Sequence, residues 1–184
     1  MALKSTIFKA ELSVADIDRC YYHDHALTIA RHPSETDERM MVRLLAFALH
    51  ADERLAFGRG LSTEDEPDLW QRDLTGAIDR WIDVGLPDER DVRKACGRAH
   101  EVHVLAYGGR AVDLWWQGAR GKLEPQDRLA VTEVPIEASR ALAQLANRSM
   151  RLQFTIEDGH VFVADGATSV PVELQILKAM RSAR

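Results

Sequence analysis

Three acidic residues in the first half of the chain have side chains suited to binding a hard cation. Glu38 lies at the head of an apolar helical pattern, Asp68 in the segment EPDLW and Asp83 in the segment WIDVGL. Asp is disfavoured in strands, and a carboxylate near a core is costly unless it is paired or bound to a metal. Two such aspartates at strand ends, facing Glu38, would offer the oxygen ligands that Mg²⁺ or Mn²⁺ prefers. These three carboxylates are therefore candidate ligands for a magnesium or manganese ion.

A cation in this position would activate a water molecule and neutralise charge on a phosphate group during hydrolysis. A simpler interpretation also fits the same residues. Asp68 and Asp83 can cap backbone turns at strand ends, and Glu38 can stabilise the N-terminus of a helix by about 0.3–1 kcal/mol. From the residue types alone, both interpretations stay open.

Two basic residues beside Glu38 are candidate phosphate contacts. Arg39 and Arg43 are four positions apart on the predicted first helix and therefore share one face. Such a pair can bind phosphate, but it is also typical of a solvated helix face, and we favour the second interpretation.

Histidine and cysteine residues predict less chemistry than the acids do. No histidine pair has the HExxH spacing of a zinc protease, and the two cysteines are too scattered for a cysteine zinc site. We expect the histidines to be structural or exposed.

The composition predicts one globular domain in a reducing compartment. The 184 residues are 46% hydrophobic and 29% charged, and two cysteines are too few for a disulfide framework. No apolar run reaches the ~18–20 residues that span a bilayer, and the opening residues contain no stretch of signal-peptide length. We expect a cytoplasmic protein with no membrane partner, formed by a single domain over residues 1–184.

The charge balance restricts how the chain could bind nucleic acid. With 24 basic against 29 acidic residues, the net charge is −5. This excludes a protein that coats nucleic acid through bulk positive charge, since that binding depends on many Lys and Arg contacts to phosphate. A nuclease is not excluded, because carboxylates that hold cations also make a chain acidic.

The acids fall on elements that can bring them together. Residues 6–15 and about 20–31 are predicted as strands, and Ser34 with Asp37 matches a capping box that starts the helix carrying Glu38.

Asp68 and Asp83 fall on the next two predicted strands, 66–70 and 79–86, which a turn around Gly76 separates. After them, strands alternate with helices, which implies right-handed crossovers and parallel strands. The remaining predicted elements are a helix at 88–99 with Asp88 as N-cap, a strand at 101–107, a helix at 110–119, a strand at 128–134, a helix at 136–146, and a meander of strands at 152–156, 161–164 and 172–177. The expected fold is an α/β domain, on the border of α+β, with a mixed β-sheet flanked by helices.

Several segments together resemble the bacterial YaeQ family. Asp68 and Asp83 form the pattern P-D-x14-D-x-G, and the likeness extends over HPSETDERMMVRLLAFALHADERL, GLSTEDEPDLW, WIDVGLPDERDVRKAC and LWWQ, from the opening MALKSTIFKA to LQFTIEDG. The resemblance implies a compact variation of the PD-(D/E)XK nuclease fold, with a restriction-endonuclease-like core and additional β-hairpins. It also implies roles in metal binding and catalysis for Glu38, Asp68 and Asp83.

One position departs from the nuclease motif. Gly85 stands where the motif has a lysine that positions the attacking water or stabilises developing charge. Some nucleases of this kind supply the cation from the next helix, and Lys94 or Arg93 in DVRKA is the candidate, with Arg93 also a candidate phosphate contact. Helix geometry places Lys94 opposite the apolar stripe, away from the core.

The resemblance therefore implies a Mg²⁺- or Mn²⁺-dependent phosphodiesterase that acts on nucleic acid. The alternative is a non-catalytic protein of the same fold that binds nucleic acid or a transcription-related protein partner, and the replacement at Gly85 favours it. A third possibility is a domain that binds a small molecule in the same acidic pocket.

Overall fold

The structure is a computed structural model that describes residues 4–59 and 65–181. Part of the segment GLSTEDEPDLW, residues 60–64, lies outside the described residues. The elements run in the order β1 Thr6–Asp16, β2 Tyr21–Arg31, α1 Asp37–Leu49, β3 Leu55–Phe57, β4 Leu69–Arg72, β5 Ile78–Val84, α2 Glu89–Cys96, β6 Ala99–Tyr107, α3 Arg110–Leu123, β7 Leu129–Val134, α4 Ile136–Gln144, β8 Ser149–Glu157, β9 His160–Ala164, β10 Ser169–Val172 and β11 Gln175–Lys178.

Two mixed sheets replace the single sheet that the sequence predicts. One has five strands in the order β10-β9-β8-β1-β2, and the other has six in the order β11-β7-β6-β5-β4-β3. The predicted parallel crossovers are present, since β5 pairs with β6, and β6 with β7, in parallel. A mixed α/β fold is therefore confirmed, with its β-strands divided between two layers.

Helices α1 and α4 lie between the two sheets. The apolar core there combines the inner face of the five-stranded sheet, both helices and one face of the six-stranded sheet. A second core lies on the opposite face of the six-stranded sheet, under α2 and α3. Because sheets cover α1 on both sides, its residues 40–48 are all buried, as expected for a helix that is not exposed on any side.

The start of α1 differs from the prediction. Its N-cap is Thr36, whose hydroxyl accepts a hydrogen bond from the backbone N–H of Arg39 at 3.1 Å. Ser34, the predicted cap, instead contacts the ring of His32 at 2.6 Å. The predicted N-cap is therefore two residues too early. Ser34 and Thr36 both precede the apolar pattern, so the sequence alone does not show which of them caps the helix.

The C-terminal meander also differs from the prediction. The single strand expected at 172–177 is two strands, β10 and β11, which belong to different sheets. β10 pairs with β9, whereas β11 pairs antiparallel with β7. The point where the chain passes from one sheet to the other cannot be recognised from alternation alone, because alternation does not show which strand a segment pairs with.

Strand β3 was not predicted, because only three residues form it. In the part of the chain that the structure describes, no helix is both long enough and apolar enough to cross a membrane.

The position of the α1 cap gives a testable prediction. Thr36→Ala should lower the free energy of unfolding by about 1 kcal/mol, because it leaves a backbone N–H of the first turn without its acceptor. Urea unfolding followed by circular dichroism at neutral pH measures the change. Ser34→Ala is the control, and a loss at Ser34 as large as that at Thr36 would contradict the assignment of the cap.

Candidate functional site

The two predicted aspartates meet at one edge of the six-stranded sheet. β4 and β5 are antiparallel with Leu69 opposite Ile82. One step further along this register brings Asp68 opposite Asp83. The fourteen residues between them therefore form a β-hairpin whose open end carries both carboxylates. This is also the edge where the parallel strands β5, β6 and β7 end, and ligands of α/β sheets commonly bind at that edge.

Both oxygens of Asp68 accept hydrogen bonds. Arg39 Nη2 donates to Oδ1 at 2.7 Å, and the backbone N–H of Val84 donates to Oδ2 at 2.7 Å. The side chain of Asp68 is 10% exposed and that of Arg39 is 17% exposed. Asp68 is therefore a largely buried carboxylate that an arginine on α1 neutralises.

Glu35 holds this arginine from the other side. Its Oε1 accepts from Arg39 Nη1 at 3.0 Å and from Arg43 Nε at 2.7 Å, and its Oε2 accepts from Arg43 Nη2 at 2.7 Å. Glu35 and Arg43 are both buried, and the guanidinium of Arg43 lies over the ring of Phe57. We name the linked residues Arg43, Glu35, Arg39 and Asp68 the ion-pair chain.

The ion-pair chain corrects the expectation of a solvated helix face. Arg39 and Arg43 share a face as predicted, but that face is covered by the sheets and pairs with buried acids. Arg43 is buried and binds Glu35 and the carbonyl of Ala30, whereas Arg39 extends to the edge of the sheet that carries Asp68. Sequence reasoning missed Glu35, because it precedes the helix and its partners depend on tertiary packing.

Asp83 has a different environment from Asp68. Its carboxylate accepts a hydrogen bond from Trp81 Nε1 at 2.9 Å. Its pKa is raised from 3.8 to about 7, mainly by burial and also by the negative charge of Asp68, while the Trp81 hydrogen bond and the positive charge of Arg39 act in the opposite direction. No salt bridge joins Asp83 to a cation within the described residues. Asp83 is thus the uncompensated acid of the pair.

Glu38 lies on the first turn of α1 and contacts α4. Its Oε1 accepts a hydrogen bond from the hydroxyl of Ser139, which is buried, at 2.6 Å. The helices α1 and α4 pack together between the sheets, and this hydrogen bond joins them across the sequence. Glu38 is therefore oriented by a hydrogen bond from a neutral hydroxyl group rather than by an ion pair with a basic side chain.

Tyr107, at the end of β6, is a residue of this edge that sequence reasoning missed. The phenol lies near the charges of Arg39, Glu38 and Glu35 and beside Thr36, and burial raises its pKa above 10.0. A Cβ on Gly85 would stand 3.9 Å from Tyr107 Cε1. The sequence feature that could have identified Tyr107 is its position as an aromatic residue at the carboxyl end of a predicted parallel strand.

Gly85 has a backbone conformation that explains the departure from the nuclease motif. Its φ is +100°, a region that L side chains rarely adopt, and its N–H donates to the carbonyl of Leu105 at 3.0 Å. A lysine at this position would be strained. The constraint comes from the backbone, because a Cβ at this position would make only an ordinary van der Waals contact with Tyr107.

Lys94 and Arg93 lie on α2 and bind other residues. Lys94 Nζ is 2.6 Å from Asp65, with its side chain 61% exposed, and Arg93 Nε is 2.8 Å from Glu89. The prediction that Lys94 points away from the apolar stripe is confirmed. Neither side chain contacts Asp68 or Asp83.

Of the three predicted acids, Asp68 and Asp83 form a pair, whereas Glu38 is bound separately. Asp68 and Asp83 lie across from each other, while Glu38 is held by Ser139 on α4. Across residues 4–59 and 65–181, no three His, Cys, Asp or Glu side chains are grouped as ligands of a metal ion. Two carboxylates still match the usual requirement of Mg²⁺, which keeps several waters and takes one or two carboxylates.

Comparison with known families identifies the chain. The family described as "YaeQ protein" matches residues 1–174. The chain belongs to the YaeQ protein family. The resemblance noted in the sequence is thereby confirmed.

Relatives match over nearly their whole length. The chain is 49% identical over 174 residues to "Uncharacterized protein YaeQ" of Salmonella typhi and 48% identical to the protein of the same description from Escherichia coli strain K12, covering 95% of this chain and 96% of each relative. These descriptions state no activity.

Two crystal structures share the fold. The YaeQ protein from Xanthomonas axonopodis pv. citri is 51% identical, with a TM-score of 0.92 over 95% of this chain and 99% of that one. The YaeQ protein from Pseudomonas syringae is 39% identical, with a TM-score of 0.92 over 97% and 98%. The likeness supports the architecture described above, and the restriction-endonuclease-like core stays a prediction.

The buried ion pair gives a second prediction. Glu35→Gln should lower the free energy of unfolding by about 3 kcal/mol, because it leaves Arg43 buried without a compensating charge. The matched control is Glu11→Gln, since Glu11 pairs with Arg151 at 2.9 Å on an exposed surface, where such pairs contribute ~0–1 kcal/mol. Chemical unfolding of both variants at pH 7 measures the difference. Equal losses would contradict a structural role for the buried pair.

Asp83 gives a third prediction, on the pH dependence of stability. Because its pKa rises from 3.8 in the unfolded chain to about 7 in the folded protein, the folded state binds the extra proton between these values. Folding stability should therefore fall as pH rises from about 4 to 7. Asp83→Asn removes this loss, so its stability relative to wild type should increase by more than ~1 kcal/mol between pH 4.5 and pH 8.

Urea unfolding at the two pH values measures this effect of Asp83→Asn. The control is Asp24→Asn, which removes one negative charge from an exposed site on β2. A relative stability of Asp83→Asn that does not change with pH would show that this carboxyl is ionised normally.

Proposed function

We propose that the protein is a Mg²⁺- or Mn²⁺-dependent phosphodiesterase that acts on nucleic acid, with the cation bound by Asp68 and Asp83. The observation that carries this proposal is the pairing of two carboxylates at the carboxyl edge of the sheet, one of which lacks a positive partner. Like charges opposite each other on neighbouring strands destabilise a sheet. A divalent cation would compensate them.

The donor set fits such a cation. Both ligands are hard carboxylate oxygens, and Mg²⁺ completes its shell with water and substrate phosphate rather than with further side chains. When bound, the cation lowers the pKa of a coordinated water and stabilises charge on the phosphate. Glu38 is proposed to act through its second oxygen, Oε2, rather than as a third direct ligand.

The remaining residues of the edge would orient the substrate. Ser139 fixes Glu38, so that Oε2 can accept a hydrogen bond from the attacking water. A phenol is protonated at neutral pH, and burial raises the pKa of Tyr107 further above its ordinary value of 10.0, so its hydroxyl can donate to a phosphate oxygen. Arg39 can contact phosphate through the guanidinium nitrogen that faces Asp68. Electrostatic stabilisation of this kind is commonly the largest contribution to phosphoryl transfer.

Gly85 cannot supply the positive charge that the lysine of the nuclease motif provides. Lys94 and Arg93 stay candidates, but they would have to leave Asp65 and Glu89 to reach a substrate at Asp83. Arg43 is less suited to phosphate contact, since its donors bind Glu35 and the carbonyl of Ala30. Arg39, which binds Asp68, and Tyr107, which lies beside Gly85, are our preferred groups for this role.

A second function is favoured by two observations. Gly85 adopts a backbone conformation that disfavours the motif lysine, and Arg39 already neutralises Asp68. A non-catalytic protein that binds nucleic acid or a transcription-related protein partner would keep the fold without the cation chemistry. Its binding to nucleic acid would weaken steeply with salt, without cleavage.

Cation-dependent stabilisation tests the proposed enzyme. Millimolar Mg²⁺ or Mn²⁺ should raise the melting temperature of the wild-type protein, because a ligand that binds only the folded state stabilises it by mass action. Asp83→Asn should abolish the cation-induced increase, whereas Asp24→Asn should retain it. Differential scanning calorimetry with and without EDTA measures each increase separately for each variant.

Cleavage assays on DNA and RNA with the same cations separate the two functions. Cleavage that Asp83→Asn abolishes supports the enzyme. No cation response together with no cleavage in a divalent-metal screen would exclude it. Salt-dependent binding without cleavage would favour the second function.

A further inference from the structure

Arg39 joins two carboxylates whose surroundings differ. At Glu35, its Nη1 shares an acceptor with Arg43, whose two further hydrogen bonds hold that carboxylate inside the fold. At Asp68, its Nη2 is accompanied among the described residues by a single backbone donor, the N–H of Val84. The Glu35 end is therefore firmly fixed, whereas the Asp68 end depends on one guanidinium nitrogen and one backbone group.

A divalent cation and Arg39 would compete for the same carboxylate. The guanidinium nitrogen lies 2.7 Å from Asp68 Oδ1, which is the space that a cation at this oxygen and its waters would fill. Two positive groups about 4 Å apart repel each other strongly at the effective dielectric of a protein surface. Cation binding at Asp68 therefore requires the Arg39 contact to lengthen or break.

We infer that Arg39 is an exchangeable counter-ion for Asp68, which it neutralises in the cation-free protein and releases when a divalent cation binds. This inference rests on the proposed function, because it assumes that the cation binds at Asp68. During the exchange, Arg39 keeps its bond to Glu35, and the ion pair between Glu35 and Arg43 keeps Glu35 in place. The released nitrogen then faces the edge of the sheet, where it can bind a phosphate oxygen.

The exchange has a consequence for cation affinity. Part of the binding free energy of the cation is spent on breaking the contact between Arg39 and Asp68. Removing that contact should therefore tighten binding of Mg²⁺, even though it also removes a candidate substrate contact. A residue that only supported the fold would not have this effect.

Arg39→Gln tests the exchange with Mg²⁺ alone as the probe. Isothermal titration calorimetry on the chelator-treated full chain should give a Kd at least about tenfold lower than that of wild type, within the range usual for coupled sites. Arg31→Gln is the matched control, because Arg31 pairs with Asp37 at the start of the same helix and not with Asp68. It removes the same charge, and we expect a change below about threefold.

The outcomes separate the exchange from the proposed function. Equal affinity of Arg39→Gln and wild type would overturn the exchange while leaving the cation site intact. An equal gain in Arg31→Gln and Arg39→Gln would also overturn it, since net charge would then explain both. If wild type and both variants bind neither Mg²⁺ nor Mn²⁺, the proposed cation site is wrong and the exchange fails with it.

The wild-type protein provides a second measurement that does not depend on how the variant folds. Side-chain NMR resonances of Arg39 should change during a Mg²⁺ titration, while those of Arg43 should stay constant, because only Arg39 changes its partner. Unchanged Arg39 resonances at saturating Mg²⁺ would overturn the exchange.

Discussion

The ion-pair chain from Arg43 through Glu35 and Arg39 to Asp68 determines how α1 meets the six-stranded sheet. It begins in the buried interior, where Glu35 and Arg43 are nearly inaccessible, and ends at the hairpin of β4 and β5. Each charge on it has an opposite neighbour within hydrogen-bond distance. A buried charge is tolerated only on this condition, and the contact between Arg39 and Asp68 links the first turn of α1 to the hairpin of β4 and β5.

The layered arrangement makes this chain necessary. Helix α1 lies between two sheets, and its first turn carries the half-buried residues Glu38 and Arg39 to the edge of the six-stranded sheet. Glu38 is accommodated by the hydroxyl of Ser139, and Arg39 by two acids. Asp83, by contrast, accepts a hydrogen bond from the Trp81 indole. Its pKa is raised because the carboxyl group is buried and no cation pairs with it among the described residues. The edge thus combines one neutralised and one uncompensated aspartate.

The sequence predicted the pairing of these aspartates, because a spacing of fourteen residues with a turn at its middle is a local property of one hairpin. The start of α2 at Asp88 was predictable because an N-cap residue is a local signal, and the parallel crossovers because strands alternate with helices along the chain. The partners of Arg39 and Arg43 were not, since amphipathic spacing alone cannot distinguish a solvated face from one covered by a second sheet. Glu35 precedes α1, Tyr107 ends β6 and Ser139 lies on α4. Their positions near one another depend on tertiary packing, which single-sequence patterns do not contain.

The charges of the edge bear on whether the proposed cation site could be recognised from ligand geometry alone. A site that gathered three ionised carboxylates without a cation would repel itself, and an arginine at Asp68 relieves that repulsion. Burial has the same effect at Asp83, because it favours the protonated acid. Both adjustments lower the negative charge of this edge. The compensation that stabilises the folded protein and the arrangement that would hold a cation are therefore competing states of the same few side chains.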